Sequence, residues 1–349
     1  MKNVSDLSLT PDENGLVWLD AMTCDEVRLT GLPWKEKNKN YHRMDDEYFD
    51  DYPLGVQIRS NNTSGVQATV RTDSRRIALH IKLNKPDFME HMTDNGVGGV
   101  DVFRGDGLAK RFWHIGSNFD RCSEYTHIFD ADGTMIDYTF NLPLYSGVTE
   151  FAIGVEPTAN LENPTPYAVE KPVLFYGSSI TQGGCASRPG NCYTNMVSRM
   201  LNIPIISFGF SSNCRGDDIL AERINELDLS AFVYDYDHNA PNAEFLEKTH
   251  EKFFRMIRSQ HPDLPIILMS KPDYDDDPVS GEERKAVILR TYAHAIAEGD
   301  RNVYFIDGST IFGDDLRDAC TVDRNHPTDL GFSRMAKAVA PVLRKVLGL

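Results

Sequence analysis

The stretch "KPVLFYGSSITQGG", Lys171–Gly184, runs from a continuous apolar segment into two adjacent serines and then into paired glycines. "PVLFYG" has the length and composition of a short strand buried on both faces. Gly177-Ser178-Ser179 follows where such a strand must turn into a helix. Serines at that place commonly form the turn and cap the next helix. One of them could instead be a nucleophile, and the rest of the chain has to decide.

Downstream the rhythm recurs. "CYTNMVSRMLN" is helical, "IPIISFGF" strand, "DDILAERINEL" helical and "AFVYDYD" strand. "AEFLEKTHEKFFRMIRSQH" is an amphipathic helix with Leu246, His250, Phe253 and Ile257 on one stripe. "LPIILMSKP", "GEERKAVILRTYAHAIAEG", "NVYFIDG" and "LGFSRMAKAVAPVLRKVLG" continue as strand, helix, strand and helix. Strands alternating with helices specify a parallel sheet covered on both faces, and right-handed crossovers restrict it to a doubly wound α/β/α layer. The expected fold class is therefore α/β, with a flavodoxin-like five-stranded parallel sheet in residues 171–349.

Upstream, residues 1–160 read as all-β, a sandwich or jelly roll. "GVQIRS", "GVQATVRT", "RRIALHIKL", "GGVDVFRG", "KRFWHIG", "EYTHIFD", "TMIDYTFNL" and "TEFAIGV" are short, rich in β-branched and aromatic residues, and mostly separated by turn formers. "TANLENPTPYA", Thr158–Ala168, breaks the pattern, and residues 161–170 read as the linker.

Composition excludes several partner classes. Sixteen net negative charges in 349 residues argue against nucleic acid and against an anionic membrane surface. No run approaches the roughly 18 apolar residues that a membrane-spanning helix needs. The opening "MKNVSDLSLTPDENG" has no apolar segment and does not read as a secretory signal. With six scattered cysteines, this leads to the expectation of reduced thiols and a cytoplasmic location; Cys185 and Cys192 bracket one loop beside the serines, and spacing alone does not decide whether they pair. The acidic clusters Asp45–Asp51 and Asp273–Asp277 read as solvated faces. The histidines show none of the spacings zinc prefers, and Gly183-Gly184 lacks the residues of a phosphate loop, so no metal and no cofactor is expected.

In a doubly wound sheet the ligand crevice lies beyond the carboxyl ends of the strands. At those ends stand Ser178 and Ser179, then Ser212 and Asn213, then Asp237, His238 and Asn239, and after the fifth strand a long connection carrying Asp323 and His326. A serine hydroxyl needs a base, for which His326 is the candidate. The imidazole needs a partner, and Asp323 is three residues away. An oxyanion needs donors: the N–H groups of Ser179 and Ser212 and the amide of Asn239. Each residue alone has a plain reading as a turn or loop residue. The conjunction favours chemistry.

At these positions the sequence resembles the SGNH (GDSL-type) hydrolases, a superfamily of esterases, lipases, thioesterases and carbohydrate deacetylases. Gly177-Ser178-Ser179-Ile180 matches the first block, which implies Ser179 as nucleophile. The second block's oxyanion glycine falls on Ser212, or on Gly209 in a shifted alignment. Asp237-His238-Asn239-Ala240 matches the third block without its glycine. Asp323-Arg324-Asn325-His326 is the Asp-x-x-His block. Gly99-Val100-Asp101-Val102-Phe103 looks like a variant of the Gly-x-Asp-Leu-Tyr signature of an N-terminal sandwich found in one subgroup. The resemblance implies a serine esterase acting on short-chain, notably acetyl, esters of a small-molecule or oligosaccharide substrate. Lipase or thioesterase activity, and non-catalytic glycan binding, are the alternatives. Trp34, Trp113, Asp101 and Arg104 are candidates for the pocket rim, although packing aromatics and a structural turn are the commoner reading for each.

Overall fold

The computed structural model describes residues 2–118 and 120–349. The parallel sheet is built from Val173–Gly177, Ile205–Gly209, Ala231–Asp235, Ile266–Met269 and Val303–Ile306. Their spatial order is second, first, third, fourth, fifth. That is the flavodoxin-like order, and the chain reverses direction across the sheet between the first strand and its two neighbours. The first three strands are buried at every residue, because helices cover both faces. Ser179–Gln182, Tyr193–Leu201 and Asp329–Leu347 supply helices around one hydrophobic cluster, while Ala243–Gln260 and Pro278–Ala297 pack around the other.

Two antiparallel sheets precede this layer. A seven-stranded sheet runs Lys2–Asn3, Asn160–Glu162, Gln67–Thr72, Ile136–Asn141, Val100–Arg104, Arg111–Gly116, with Arg28–Thr30 also paired to Gln67–Thr72. A four-stranded sheet runs Val17–Asp20, Val148–Val155, Arg76–Leu83, Glu124–Asp130. Their inward faces enclose a separate core that includes Leu79, Ile81, Val102, Phe140 and Phe151. Alternation explains it: in Arg76–Leu83 the apolar Ile77, Leu79, Ile81 and Leu83 are all buried.

Two local expectations change. "GVQIRS" is helical, within Leu54–Ser60, not a strand. The Pro53 carbonyl accepts from Val56 N and Gln57 N and starts the helix, and Ile58 is left exposed. Six residues with alternating polarity fit either period, so the pattern there could not discriminate. Second, the stretch read as linker begins with a strand: Leu161 and Glu162 pair with Thr72 and Arg71.

The two halves share buried surface. Arg43 is fully buried and donates to the carbonyl oxygens of Asn62, Arg59, Ser207 and Gly209, tying the antiparallel half to the end of the second parallel strand. Asp101, also fully buried, accepts from Arg188 Nη1 at 2.6 Å, Gly190 N at 2.9 Å and Asn141 Nδ2 at 2.8 Å. The Gly99–Phe103 signature is thus a docking device for the loop that follows the two serines. Trp34 stacks on Phe208, Trp113 packs against Tyr138 and Phe129, and Arg104 pairs with Asp132. The four residues proposed for a pocket rim are therefore engaged in packing, docking and surface pairing. Among the described residues no helix is long and apolar enough to cross a membrane.

Candidate active site

Gly177 ends the first strand because only glycine fits. A Cβ there would sit 2.1 Å from Thr181 Oγ1 and 2.6 Å from the Asp235 carbonyl oxygen. The chain then turns into the short helix Ser179–Gln182. Ser178 is its N-cap, with its Oγ accepting from Ile180 N at 3.2 Å. Ser179 is thereby freed of capping duty. The rest of the helix is anchored from both sides: Thr181 Oγ1 donates to Asp235 Oδ2 at 2.9 Å, and Gln182 Nε2 donates to Asn62 Oδ1 at 3.0 Å and to the Leu144 carbonyl at 3.1 Å.

Ser179 Oγ lies 2.9 Å from His326 Nε2, and His326 Nδ1 lies 2.8 Å from Asp323 Oδ2. Asp323 Oδ1 additionally accepts the backbone N–H groups of His326 at 2.7 Å and Asn325 at 3.1 Å. Burial pushes the Asp323 carboxyl up, but its bonds to the His326 ring and backbone outweigh that and hold it below the usual carboxylate range. The loop that carries the pair is closed by Val322 N donating to the His326 carbonyl at 2.8 Å and by a bridge between Thr321 and Pro327. Thr328 then caps the last helix. Residues separated by some 147 positions meet because their loops leave the same edge of one sheet.

Asn239 stands at the end of the third strand. Its Oδ1 accepts from Cys214 N at 3.2 Å, while its Nδ2 and the backbone N–H groups of Ser179 and Ser212 donate to no described residue. Ser212 has φ +63°, the left-handed conformation that glycine adopts most easily, so the serine keeps a glycine-like backbone in the second block. Gly209, the alternative, is a strand residue packed so closely on the helix Ser179–Gln182 that a Cβ would lie 2.1 Å from Gln182 N. Ser211 N donates to Gln182 Oε1 at 2.9 Å and joins the second block to the same helix.

Sequence reasoning passed over the ion network that fixes Asn239. His238 Nε2 meets Asp273 Oδ1 at 2.6 Å, and its Nδ1 lies 3.2 Å from Asp237 Oδ1, close enough for charge pairing but off the line of a hydrogen bond. Burial alone would push this imidazole down; the Asp273 and Asp237 carboxylates overcome it and hold it up at about 10. Arg284 donates to the Asp237 and Ala240 carbonyls at 2.5 and 2.9 Å, clamping the segment on both sides of Asn239. Asp273 is consequently buried, not part of a solvated acidic face, and Asp45 is buried too. Burial pushes the neighbouring Asp235 carboxyl up to about 6. Cys185 and Cys192 are unpaired, and all six cysteines are free thiols.

The profile of the GDSL-like lipase/acylhydrolase family matches residues 170–344, and that of the N-terminal domain of SGNH-hydrolase-type esterases matches residues 16–161. Comparison with curated proteins gives no significant match. Among solved structures, a protein described as a GDSL-like lipase from Bacteroides ovatus superposes with a TM-score of 0.84 at 25% identity, over 95% of this chain and 98% of that one. A salicylyl-acyltransferase from a tetracycline biosynthetic pathway gives 0.76 at 18% identity, over 97% and 99%. A family two carbohydrate esterase from Clostridium thermocellum, in complex with cellohexaose, gives 0.59 at 13% identity, over 82% and 93%. The chain belongs to the GDSL-like lipase/acylhydrolase family, carries an SGNH-esterase N-terminal domain ahead of the hydrolase fold, and is a carboxylic ester hydrolase.

Proposed function

We propose that this protein is a serine esterase that removes acetyl groups from a carbohydrate through an acyl-enzyme. The observation that carries the reading is the continuous relay from Ser179 Oγ to His326 Nε2 at 2.9 Å and from His326 Nδ1 to Asp323 Oδ2 at 2.8 Å. The Asp323 carboxylate accepts the Nδ1 proton, so the lone pair of the imidazole faces the serine. Ser179 Oγ attacks the ester carbonyl as its proton passes to Nε2. The imidazolium returns that proton to the departing alcohol oxygen, and water repeats the sequence on the acyl-serine. The N–H groups of Ser179 and Ser212 and the Asn239 amide hold the oxyanion, each contributing about 3 kcal/mol in the transition state.

One feature supports a sugar ester. The two-part fold is shared with a carbohydrate esterase. A panel of acetylated mono- and oligosaccharides against p-nitrophenyl esters of increasing chain length tests the proposal. Acetate should be preferred. Preference for acyl chains of eight or more carbons, by contrast, would move the reading to a lipase.

A further inference from the structure

Beside the relay the two halves of the chain bring together a second set of donors. His91, on the loop between Arg76–Leu83 and the helix Asp94–Gly98, faces His326 with ring centroids 5.2 Å apart. Cys185, held at φ +75° just after the nucleophile helix, is buried on the same side, and donor atoms of His91, Cys185 and His326 lie within 4.8 Å of one another. The loop is pressed against the imidazole: a Cβ on Gly184 would be 3.2 Å from His326 Cδ2.

The geometry points to an inhibitory zinc site formed by His91, Cys185 and His326, in which the metal occupies the Nε2 lone pair that otherwise faces Ser179. Two imidazoles and a thiolate are the donors zinc favours, with a fourth position left for water. Tetrahedral bonds of the usual lengths set such donors roughly 3.4–3.6 Å apart, so the set need contract by no more than about an ångström. His91 is exposed on its loop and can supply that movement. The outer shell is already built, because the Asp323 carboxylate on Nδ1 is the partner that zinc-bound histidines ordinarily have. Without metal, burial and the Asp323 carboxylate push the Cys185 thiol up to about 12, so binding must release its proton to solvent. Bound metal and proton transfer from Ser179 exclude each other.

The buried cluster of Asp235, Asp237 and His238 leaves Asp235 Oδ1, Asp237 Oδ1 and His238 Nδ1 without a hydrogen-bond partner, but the imidazole is held charged between Asp237 and Asp273 and has no lone pair to offer a metal. Asp235 Oδ2 accepts from Thr181 and Tyr193, Asp237 Oδ2 accepts from Lys271 N, and His238 is paired with Asp273. That network is internal charge balance.

This inhibition rests on the reading of Ser179 and His326 as nucleophile and base, so its test has a second readout. The full-length protein, stripped with EDTA, is titrated with Zn²⁺ while p-nitrophenyl acetate hydrolysis is followed, and separately with Co²⁺ while the thiolate-to-cobalt charge-transfer band is recorded. Zn²⁺ should inhibit reversibly, and Co²⁺ should give the band in the wild type but not in Cys185→Ser. Loss of an outer partner alone weakens metal binding by about 10–100-fold, so His91→Ala and Cys185→Ser should raise the half-inhibitory Zn²⁺ concentration at least as much. Both variants should keep their turnover in chelator. Equal inhibition of wild type and both variants would overturn the site, as would absence of the cobalt band. If the protein hydrolysed no ester at all, the band would still decide the metal question independently.

Discussion

The hydroxyl of Tyr145 crosses from the antiparallel half and donates to the backbone carbonyl oxygen of Ser179 at 3.3 Å. The same carbonyl accepts from Gly184 N at 2.7 Å and Gly183 N at 3.0 Å, so the tight turn behind the serine is fastened from within and from outside. The N-terminal half therefore reaches Ser179, the proposed nucleophile, through the backbone. Tyr145→Phe should remove one buried hydrogen bond, lowering stability by about 1 kcal/mol. The expected kinetic signature is a modest fall in kcat with KM unchanged, measured on an acetyl ester.

Asp323 is the group that selects the tautomer of His326. Asp323→Asn keeps the shape but offers an amide where the ring N–H needs an acceptor, which should reduce kcat by about ten-thousandfold. Thermal unfolding should show the variant still folded, since the side chain is more than a third exposed. Turnover near wild-type levels would remove Asp323 from the relay.

Ser212 and Asn239 are separable experimentally. In the proposed oxyanion hole Ser212 would donate through its backbone, so Ser212→Gly keeps the N–H and relieves a left-handed φ worth about 1 kcal/mol. Activity should persist and stability should rise. Asn239→Ala removes a side-chain donor and should lower kcat by about 100- to 1,000-fold. A large loss in Ser212→Gly would instead show that the serine hydroxyl is needed.

The His238 network predicts a stability profile. Its folded-state pKa is held at about 10, above the roughly 6.5 of an unfolded chain. A raised value means the charged imidazole stabilises the fold fully below the unfolded pKa and progressively less as pH rises toward 10. Wild-type Tm should therefore decline between about pH 6.5 and 10. His238→Gln should be less stable at pH 6 and show a flatter profile over that range.

Much of this was legible in the sequence because it is periodic. The stripe of Leu246, His250, Phe253 and Ile257 is buried as its spacing requires, with His250 Nδ1 satisfied by Thr291 at 2.9 Å. Residues read at the strand ends, Ser179, Asp323 and His326, do meet, because a doubly wound sheet directs its loops to one edge. What escaped depends on long-range partners without local pattern. Nothing in the sequence around Arg43 announces the four carbonyls that surround it, Asp273 reads as one acid in a charged run until His238 buries it, and His91 gains its neighbour His326 only once the antiparallel half is docked. The helix at Leu54–Ser60 escaped for the opposite reason, since its short alternation is shared by both periods.

The distinction between the two adjacent serines is the central claim, and intact-mass analysis after reaction with a serine-directed fluorophosphonate tests it most directly. Ser178 caps a helix and Ser179 faces His326. Wild type and Ser178→Ala should each gain a single adduct, mapped by peptide analysis to Ser179, and Ser179→Ala should gain none. Labelling of Ser179→Ala at the wild-type rate, or an adduct mapped to another residue in the wild type, would contradict the account.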